Sequence, residues 1–394
     1  MSKAKTKYEI RGVSPGKEDV HSAIKGLDKG LFPNAFCKIL PDVAQGDPEH
    51  VNIMHADTAG TKTALAYLFW KETGDLKVWK GIVEDAVVMN VDDMACAGCV
   101  DNVILSSTIG RNKHLVTGDV ISTIINHLQD FTGRMREKGV HWHLAGGETA
   151  DVGDIVRTID VGYTAFARMP KANVIDINIC PGDKIVALAS YGQSTYEDSY
   201  NSGIGSNGLT SARHDVLSKF YAENYPEAYD PNTPDAVVFT GSKRLTDTFS
   251  WKGSDYSVGS LLLSPTRTFV PVIKELLSLK NDIGGMIHCT GGAQTKVLKF
   301  VKNVNVVKED LLEIPPVFEL IKQESGADWK EMFQVFNMGH RLEVYCRNDK
   351  AVQHVKEVAG KYHIDAKVIG EVQSSSKAAE LNLKSPDGWI HYRE

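Results

Sequence analysis

The stretch Asp57-Thr58-Ala59-Gly60-Thr61-Lys62 sets a carboxylate, a small-residue turn and an ammonium close together. An apolar run from Val51 to Met54 precedes it and reads as a strand; a helix-like segment, Thr63 to Trp70, follows. That order suits a metal-bound polyphosphate. The acid takes a divalent cation, the turn lets backbone N–H groups approach oxygens, and the lysine neutralises phosphate charge. The same residues also suit a strand–turn–helix corner with a surface ion pair, so the choice rests on the rest of the chain.

Two further places carry acids. Asp92 and Asp93 lie in an apolar segment, Val83 to Val100, where Val87, Val91, Met94, Ala95 and Gly98 recur at helical spacing. Adjacent acids in such a helix are costly unless paired or metal-bound, and at about 100° per residue only one faces inward. Val140 to Leu144 reads as a strand ending in Ala145-Gly146-Gly147-Glu148-Thr149-Ala150-Asp151, a glycine-rich turn whose Glu148 and Asp151 are hard oxygen donors suited to Mg²⁺. In the second half, Ser190 and the loop Ser202-Gly203-Ile204-Gly205-Ser206-Asn207-Gly208 open onto a helix, Leu209 to Tyr221. Such a loop is equally an anion cap or an ordinary surface loop. Ser264-Pro265-Thr266-Arg267 reads as a helix start with Ser264 as N-cap; Arg267 in that first turn opposes the helix dipole and hints at an anionic partner.

No protein nucleophile stands out: there is no GxSxG, no HExxH, no P-loop, and no GxGxxG in a strand-to-helix setting. Cys96-Ala97-Gly98-Cys99 lacks a completing pair and reads as buried thiols, and His141 and His143 lack a third nitrogen donor. The inventory fits an ATP-using enzyme that works by positioning and charge neutralisation. At 394 residues, with 42% hydrophobic and 24% charged content, the chain has the size of two domains and a soluble composition. Its net charge of −6 argues against a nucleic-acid surface. No apolar run approaches the roughly 20 residues that span a bilayer, and no h-region follows the basic N-terminus. The six scattered cysteines read as reduced thiols of a cytoplasmic protein.

These groups need strands that end in glycine turns. Strands are expected at 51–54, 102–108, 140–144 and 159–167, with a long helix at 116–138. Met169-Pro170-Lys171 reads as a linker, dividing the chain into domains 1–170 and 171–394. The second domain restarts with a strand at Lys184 to Ala189 and repeats the strand-to-turn pattern at Met286 to Gly292; Phe336-Asn337-Met338-Gly339 precedes a strand from Arg341 to Cys346. A helix (351–361) and a final strand (366–372) close it, leaving an irregular insertion over 225–260 and a polar, peripheral tail from Ser374. Near the start, Gly12 and Gly16 bracket a loop, with a helix-like run from Lys17 to Ile24, that either folds over a ligand or forms a mobile arm.

Taken in order, the motifs resemble the aminoimidazole ribonucleotide synthase family, the phosphoribosylformylglycinamidine cyclo-ligases, within a superfamily of ATP-binding synthases. Asp57 to Lys62 resembles the family's D-G-V-G-T-K, and Gly146 to Ala150 matches G-G-E-T-A. Asp92-Asp93 lies where the family has Asn-Asp, which favours Asp93 as the inward acid. Ser206-Asn207-Gly208, Pro265-Thr266-Arg267, Thr290-Gly291-Gly292 and Phe336-Asn337 with Gly339 follow in the family's order, so the resemblance runs from Tyr8 to Cys346.

The resemblance implies an α/β (α+β) fold of two domains. The N-terminal mixed sheet, with its helices, would pair into a barrel in a homodimer, with ATP near the interface; a C-terminal α/β domain with Gly-rich loops would form the substrate side. It implies ATP with Mg²⁺, with K⁺ as an accessory cation, and a small ribonucleotide substrate, formylglycinamidine ribonucleotide. By the same resemblance Asp57, Asp93 and Glu148 hold metal and act with Lys62 in catalysis. Gly60, Thr61, Gly146, Gly147, Asp92 and Asp151 bind the nucleotide; Ser190, Ser206, Asn207, Gly208, Thr266 and Arg267 bind substrate. Thr58 stands for a glycine, Asp92 for an asparagine and Gly205 for a histidine, and the segments 193–203 and 230–260 are longer than the family pattern. Two rivals remain: thiamine-monophosphate kinase, which shares the ATP motifs but not the FN-x-G and S-N-G set in this form, and a catalytically silent nucleotide-binding paralogue.

Overall fold

The computed structural model describes residues 7–13, 22–23 and 25–393, so Ser14 to Gly16 and most of the run from Lys17 to Ile24 lie outside the described residues. A short helix, α1 (Lys7–Ile10), comes first. A five-stranded sheet follows, built from β1 (Ile39–Pro41), β2 (His50–Thr58), β3 (Val103–Arg111), β4 (Trp142–Asp151) and β5 (Ile159–Pro170) in the order β1-β2-β5-β3-β4. All its pairings are antiparallel except β3 with β4.

One face of this sheet is covered by α2 (Lys62–Thr73), α3 (Val78–Cys96) and α4 (Gly118–Glu137). α4 is amphipathic, burying Val120, Ile124, Leu128, Phe131 and Met135 at helical spacing. α3 is buried almost all round because it is enclosed: it packs on β2, β5 and α4, and its far side meets the second sheet. The other face of the sheet is open. Met54, 60% exposed, pairs with Phe166 and Phe166 with Ile104, 42% exposed, giving an apolar row across three strands.

The second sheet has seven strands in the order β14-β13-β10-β12-β6-β11-β9. They are β6 (Lys184–Ala189), β9 (Ile283–His288), β10 (Val304–Lys308), β11 (His340–Cys346), β12 (Ala366–Ser374), β13 (Glu380–Ser385) and β14 (Gly388–Arg393). The connecting helices are α5 (Leu209–Val216), α6 (Phe220–Asn224), α7 (Val258–Leu263), α8 (Val270–Leu276), α9 (Pro316–Ser325), α10 (Trp329–Val335) and α11 (Asp349–Lys361). Among the described residues no helix is long and apolar enough to cross a membrane.

Several expectations are corrected. β2 continues through Thr58 and β4 through Asp151, so Asp57 and the whole 145–151 stretch lie on strands, and only 59–61 turns. The helix expected from Leu209 to Tyr221 breaks at Leu217, whose backbone is extended. Ser264 to Phe269 is not helical; the chain is irregular there between α7 and α8, so Arg267 is not in a first turn. The insertion at 225–260 contains a hairpin, β7 (Thr248–Trp251) with β8 (Ser254–Ser257). The tail after Ser374 is not peripheral: β13 pairs in parallel with β10 and buries Leu381 and Leu383 fully, the period-2 alternation of a half-buried strand.

Candidate active site

Three helical starts converge on one cleft. α2 begins after Gly60 (φ 60°), α5 after Gly208 (φ 81°), and a 3₁₀ segment, Ala293–Phe300, after Gly292 (φ 89°). None carries a side-chain cap. The first N–H groups of a helix have no partner within it and carry the positive end of its dipole, so the arrangement favours an anion with many oxygens. The cleft has a volume of about 320 Å³ and is lined by Asp57 to Thr61, Ser206 to Gly208, Thr210, Gly291 and Gly292, with Tyr8, Val13, Met89, Gln334 and Val335. Gly208 is the residue with no alternative: besides its positive φ, an added Cβ would lie 2.4 Å from Phe336 Cε1.

The Asp57 side chain is exposed at this cleft and accepts a hydrogen bond from the Thr58 N–H at 2.8 Å. Thr58 fits because it is still strand: its Oγ1 accepts from the Gly60 N–H at 3.1 Å, and its methyl lies over Gly162 of β5. Thr61 Oγ1 and Thr210 Oγ1 meet at 2.6 Å, joining the two sides of the cleft. Ser206 Oγ is buried with no hydrogen-bond partner among the described residues.

Lys62 does not face the cleft. It is fully buried, ion-paired to Asp85 at 2.8 Å, and donates to the backbone oxygens of Gly205 (3.1 Å) and Ser264 (2.5 Å). Burial pushes its ammonium below, and the Asp85 carboxyl above, their ordinary ranges. Thr266 gives both its N–H and its hydroxyl to Asp85. Arg267 is buried, ion-paired to Glu197, and donates to the carbonyls of Ala189 and Tyr191. Ser190 donates to Gly203 O and to Asn337 Oδ1. In the described structure Lys62, Thr266, Arg267 and Ser190 are thus joints holding the cleft rather than side chains that reach into it.

The acids also separate. Asp92, not Asp93, is the more deeply buried: it accepts from Thr268 Oγ1 (2.6 Å) and the Phe269 N–H (3.0 Å), and burial raises its carboxyl. Asp93 sits beside histidines that the sequence reading passed over. Its Oδ1 is 2.6 Å from His288 Nδ1 and its Oδ2 is 3.5 Å from His55 Nε2. Arg341 Nε donates to His288 Nε2 at 2.9 Å, so His288 must carry its proton on Nδ1 and give it to Asp93. Burial alone would raise the Asp93 carboxyl, but the His288 hydrogen bond, with Lys296 and His55 nearby, holds it below the usual carboxylate range. His55 was legible: it lies two residues before Asp57 on one strand, hence on the same face.

Glu148 does not join Asp57 within one chain. It pairs with Thr108, in the row that contains Thr58, whereas Asp57 belongs to the neighbouring row through Tyr163, Ser107 and Gly147. The two side chains therefore leave opposite faces, on strands separated by three spacings, about 14 Å. Gly147 is required by close approach to Ser107, whose Oγ would lie 2.1 Å from an added Cβ; Gly146 stands beside it with φ 84°. Asp151 is taken by Arg111 at 2.8 Å, which holds its carboxyl below the usual range. Among the described residues no three His, Cys, Asp or Glu side chains gather as a metal set, so the expected Asp57, Asp93 and Glu148 group is not assembled in one chain.

Residues 39–169 match the family model described as AIR synthase related protein, N-terminal domain, and residues 180–380 match that of the C-terminal domain. Over 368 residues the chain is 29% identical to the phosphoribosylformylglycinamidine cyclo-ligase of Methanococcus maripaludis (strain C5), covering 93% of this chain and 87% of that one. Against the cyclo-ligase of Methanococcus vannielii it is 28% identical over 295 residues, 74% of this chain and 71% of the relative. Among solved structures, AaThiL complexed with AMPPCP and TMP superposes with a TM-score of 0.55 at 10% identity, covering 99% of this chain and 100% of that one. Phosphoribosylformylglycinamidine synthase II from Thermotoga maritima gives a TM-score of 0.55 at 12% identity, covering 98% of this chain and 50% of that one, so this chain spans half its length. At these identities the two structures speak for the fold alone.

Proposed function

Because the chain belongs to the AIR synthase related family, we propose that it closes formylglycinamidine ribonucleotide to 5-aminoimidazole ribonucleotide, with ADP and phosphate as the other products, as a cytoplasmic enzyme of purine biosynthesis. The observation that carries the reading is the convergence of three uncapped helical starts on one cleft beside Asp57, with no protein nucleophile among them. An amide oxygen leaves poorly until it carries phosphate. ATP would phosphorylate the formamide oxygen, the amidine nitrogen would attack the same carbon, and phosphate would depart. The chain's part is to align the two reactants and to meet phosphate oxygens with backbone N–H groups at 61–62, 208–210, 292 and 294. Residues 1–170 would form the nucleotide side and 171–394 the substrate side.

The donor set fits Mg²⁺, which is held by one or two carboxylates together with phosphate oxygens and water. Asp57, which lines the cleft, would hold it, with Asp93, which is not part of the cleft lining and is kept anionic by His288, as the second carboxylate of the proposal. When bound it would neutralise charge on the transferring phosphoryl group. Glu148 points off the open face of the first sheet, where the apolar row of Met54, Phe166 and Ile104 lies. We assign that face to a homodimer contact in which Glu148 of the partner subunit would serve the nucleotide site.

The test is ADP release on adding formylglycinamidine ribonucleotide with ATP, Mg²⁺ and K⁺. Substrate-dependent turnover is expected; ATP binding without it would favour a silent nucleotide-binding protein. Asp57→Asn is expected to cut kcat by at least about 100-fold while leaving the melting curve unchanged. A fully active D57N enzyme overturns the metal assignment.

A further inference from the structure

A second polar core lies inside the seven-stranded sheet. Lys308, the last residue of β10, and Glu343, in β11, are fully buried and ion-paired. Their strands are separated by β12 and β6, so only two long side chains reaching toward each other close the gap. Lys308 Nζ also donates to the backbone oxygen of Gln294 (3.1 Å) and to its Oε1 (3.0 Å). Glu343 is 3.1 Å from His340 Nε2 and accepts from the Tyr345 hydroxyl at 2.7 Å.

Gln294 is the link to the cleft. It is the second residue of the 3₁₀ segment that follows Gly291-Gly292, and its Nε2 donates to Asn337 O at 2.8 Å. The Asn337 side chain donates to Gly203 O (2.8 Å) and Ile204 O (3.3 Å) and accepts from the Gly339 N–H (2.9 Å). One run of hydrogen bonds thus leads from a buried ammonium, through Gln294 and Asn337, to the loop that presents Ser206, Asn207 and Gly208. A hydrophobic pair of similar volume would generally serve stability as well or better than a buried ion pair. What the ion pair adds is direction: it fixes both acceptors of Gln294, and through them two of the three helical starts.

We propose that Lys308 and Glu343 are positioning residues that set where the 203–208 and 291–294 turns stand in the cleft, with Gln294 as the transmitting side chain. The kinetic readout of this proposal rests on the cyclo-ligase reading; its structural readout does not.

The experiment compares wild type with K308M/E343Q and Q294M. The double variant removes both charges yet leaves His340 and Tyr345 a hydrogen-bonding neighbour; Q294M cuts the link while the ion pair stays. Each is expected to melt cooperatively, while amides at 203–208 and 291–294 exchange with solvent at least about tenfold faster and those of β6 and β11 do not. KM for formylglycinamidine ribonucleotide is expected to rise about tenfold with kcat changed less than about threefold. Should the double variant fail to fold, Q294M decides. The proposal is overturned if KM and local exchange stay within about twofold of wild type, or if exchange quickens equally across the sheet. Absence of wild-type turnover would count against the cyclo-ligase reading and leave the exchange measurement to decide this proposal.

Discussion

Lys62–Asp85, at the junction of the two sheets, and Lys308–Glu343, inside the second, are equally hidden from water, yet their carboxyls shift in opposite directions. Burial raises Asp85; Glu343 is buried as deeply, but Lys308 and His340 hold it below its ordinary range. The difference lies in the partners: Asp85 is countered by Lys62 and the two donors of Thr266, whereas Glu343 is countered by Lys308 and, as well, by His340. Asp85 gathers Lys62 and both donors of Thr266 on Oδ1 and leaves Oδ2 without a partner among the described residues. Glu343 divides its partners between both oxygens. A nearby counter-ion does not by itself stabilise a buried charge; a second ionisable partner on the same carboxylate tips the balance.

The largest expected effect that would break this contrast is on E343Q. Removing a charge that its surroundings favour should lower the unfolding free energy at neutral pH by about 3–5 kcal/mol, read from urea midpoints. Asp85→Asn should cost less, about 1–3 kcal/mol, because the site already disfavours the anion and Lys62 keeps two carbonyl acceptors. Equal losses would remove the distinction. The smallest and sharpest effect is on pH dependence. Glu343 has a depressed folded-state value, so its contribution is present above the unfolded carboxyl range, about 4.3, and fades as pH falls toward the folded value. Asp85 has a raised value, so its contribution is present below about 3.9 and fades as pH rises through the folded value. E343Q should therefore flatten the acid limb of stability against pH, and D85N should remove an opposing slope; urea titrations from acid to neutral pH read both.

The turns were legible in the sequence because glycine marks them: Gly60, Gly208 and Gly292 all take positive φ beside the cleft. The directions of side chains were not. Thr61 and Lys62 are neighbours, but one reaches Thr210 and the other turns inward to Asp85, where α2 packs against α3, α5 and α7. Gly146-Gly147 resembled a turn, yet Gly147 is small because Ser107 crosses it within a strand pair. Ser264-Pro265 resembled a helix start, but the chain is not helical there and the Thr266 N–H goes to Asp85 instead. In the tail, the alternation of Leu381 and Leu383 was readable and was outweighed by the polar residues around it.

The open row of Met54, Phe166 and Ile104 has a thermodynamic consequence. The homodimer proposed on that face would remove mainly apolar surface from water, with Glu148 beside it. Such association carries a negative heat-capacity change, resists salt, and loosens on cooling. A site that needs Glu148 from across that contact would lose its integrity in the cold while each sheet remained folded.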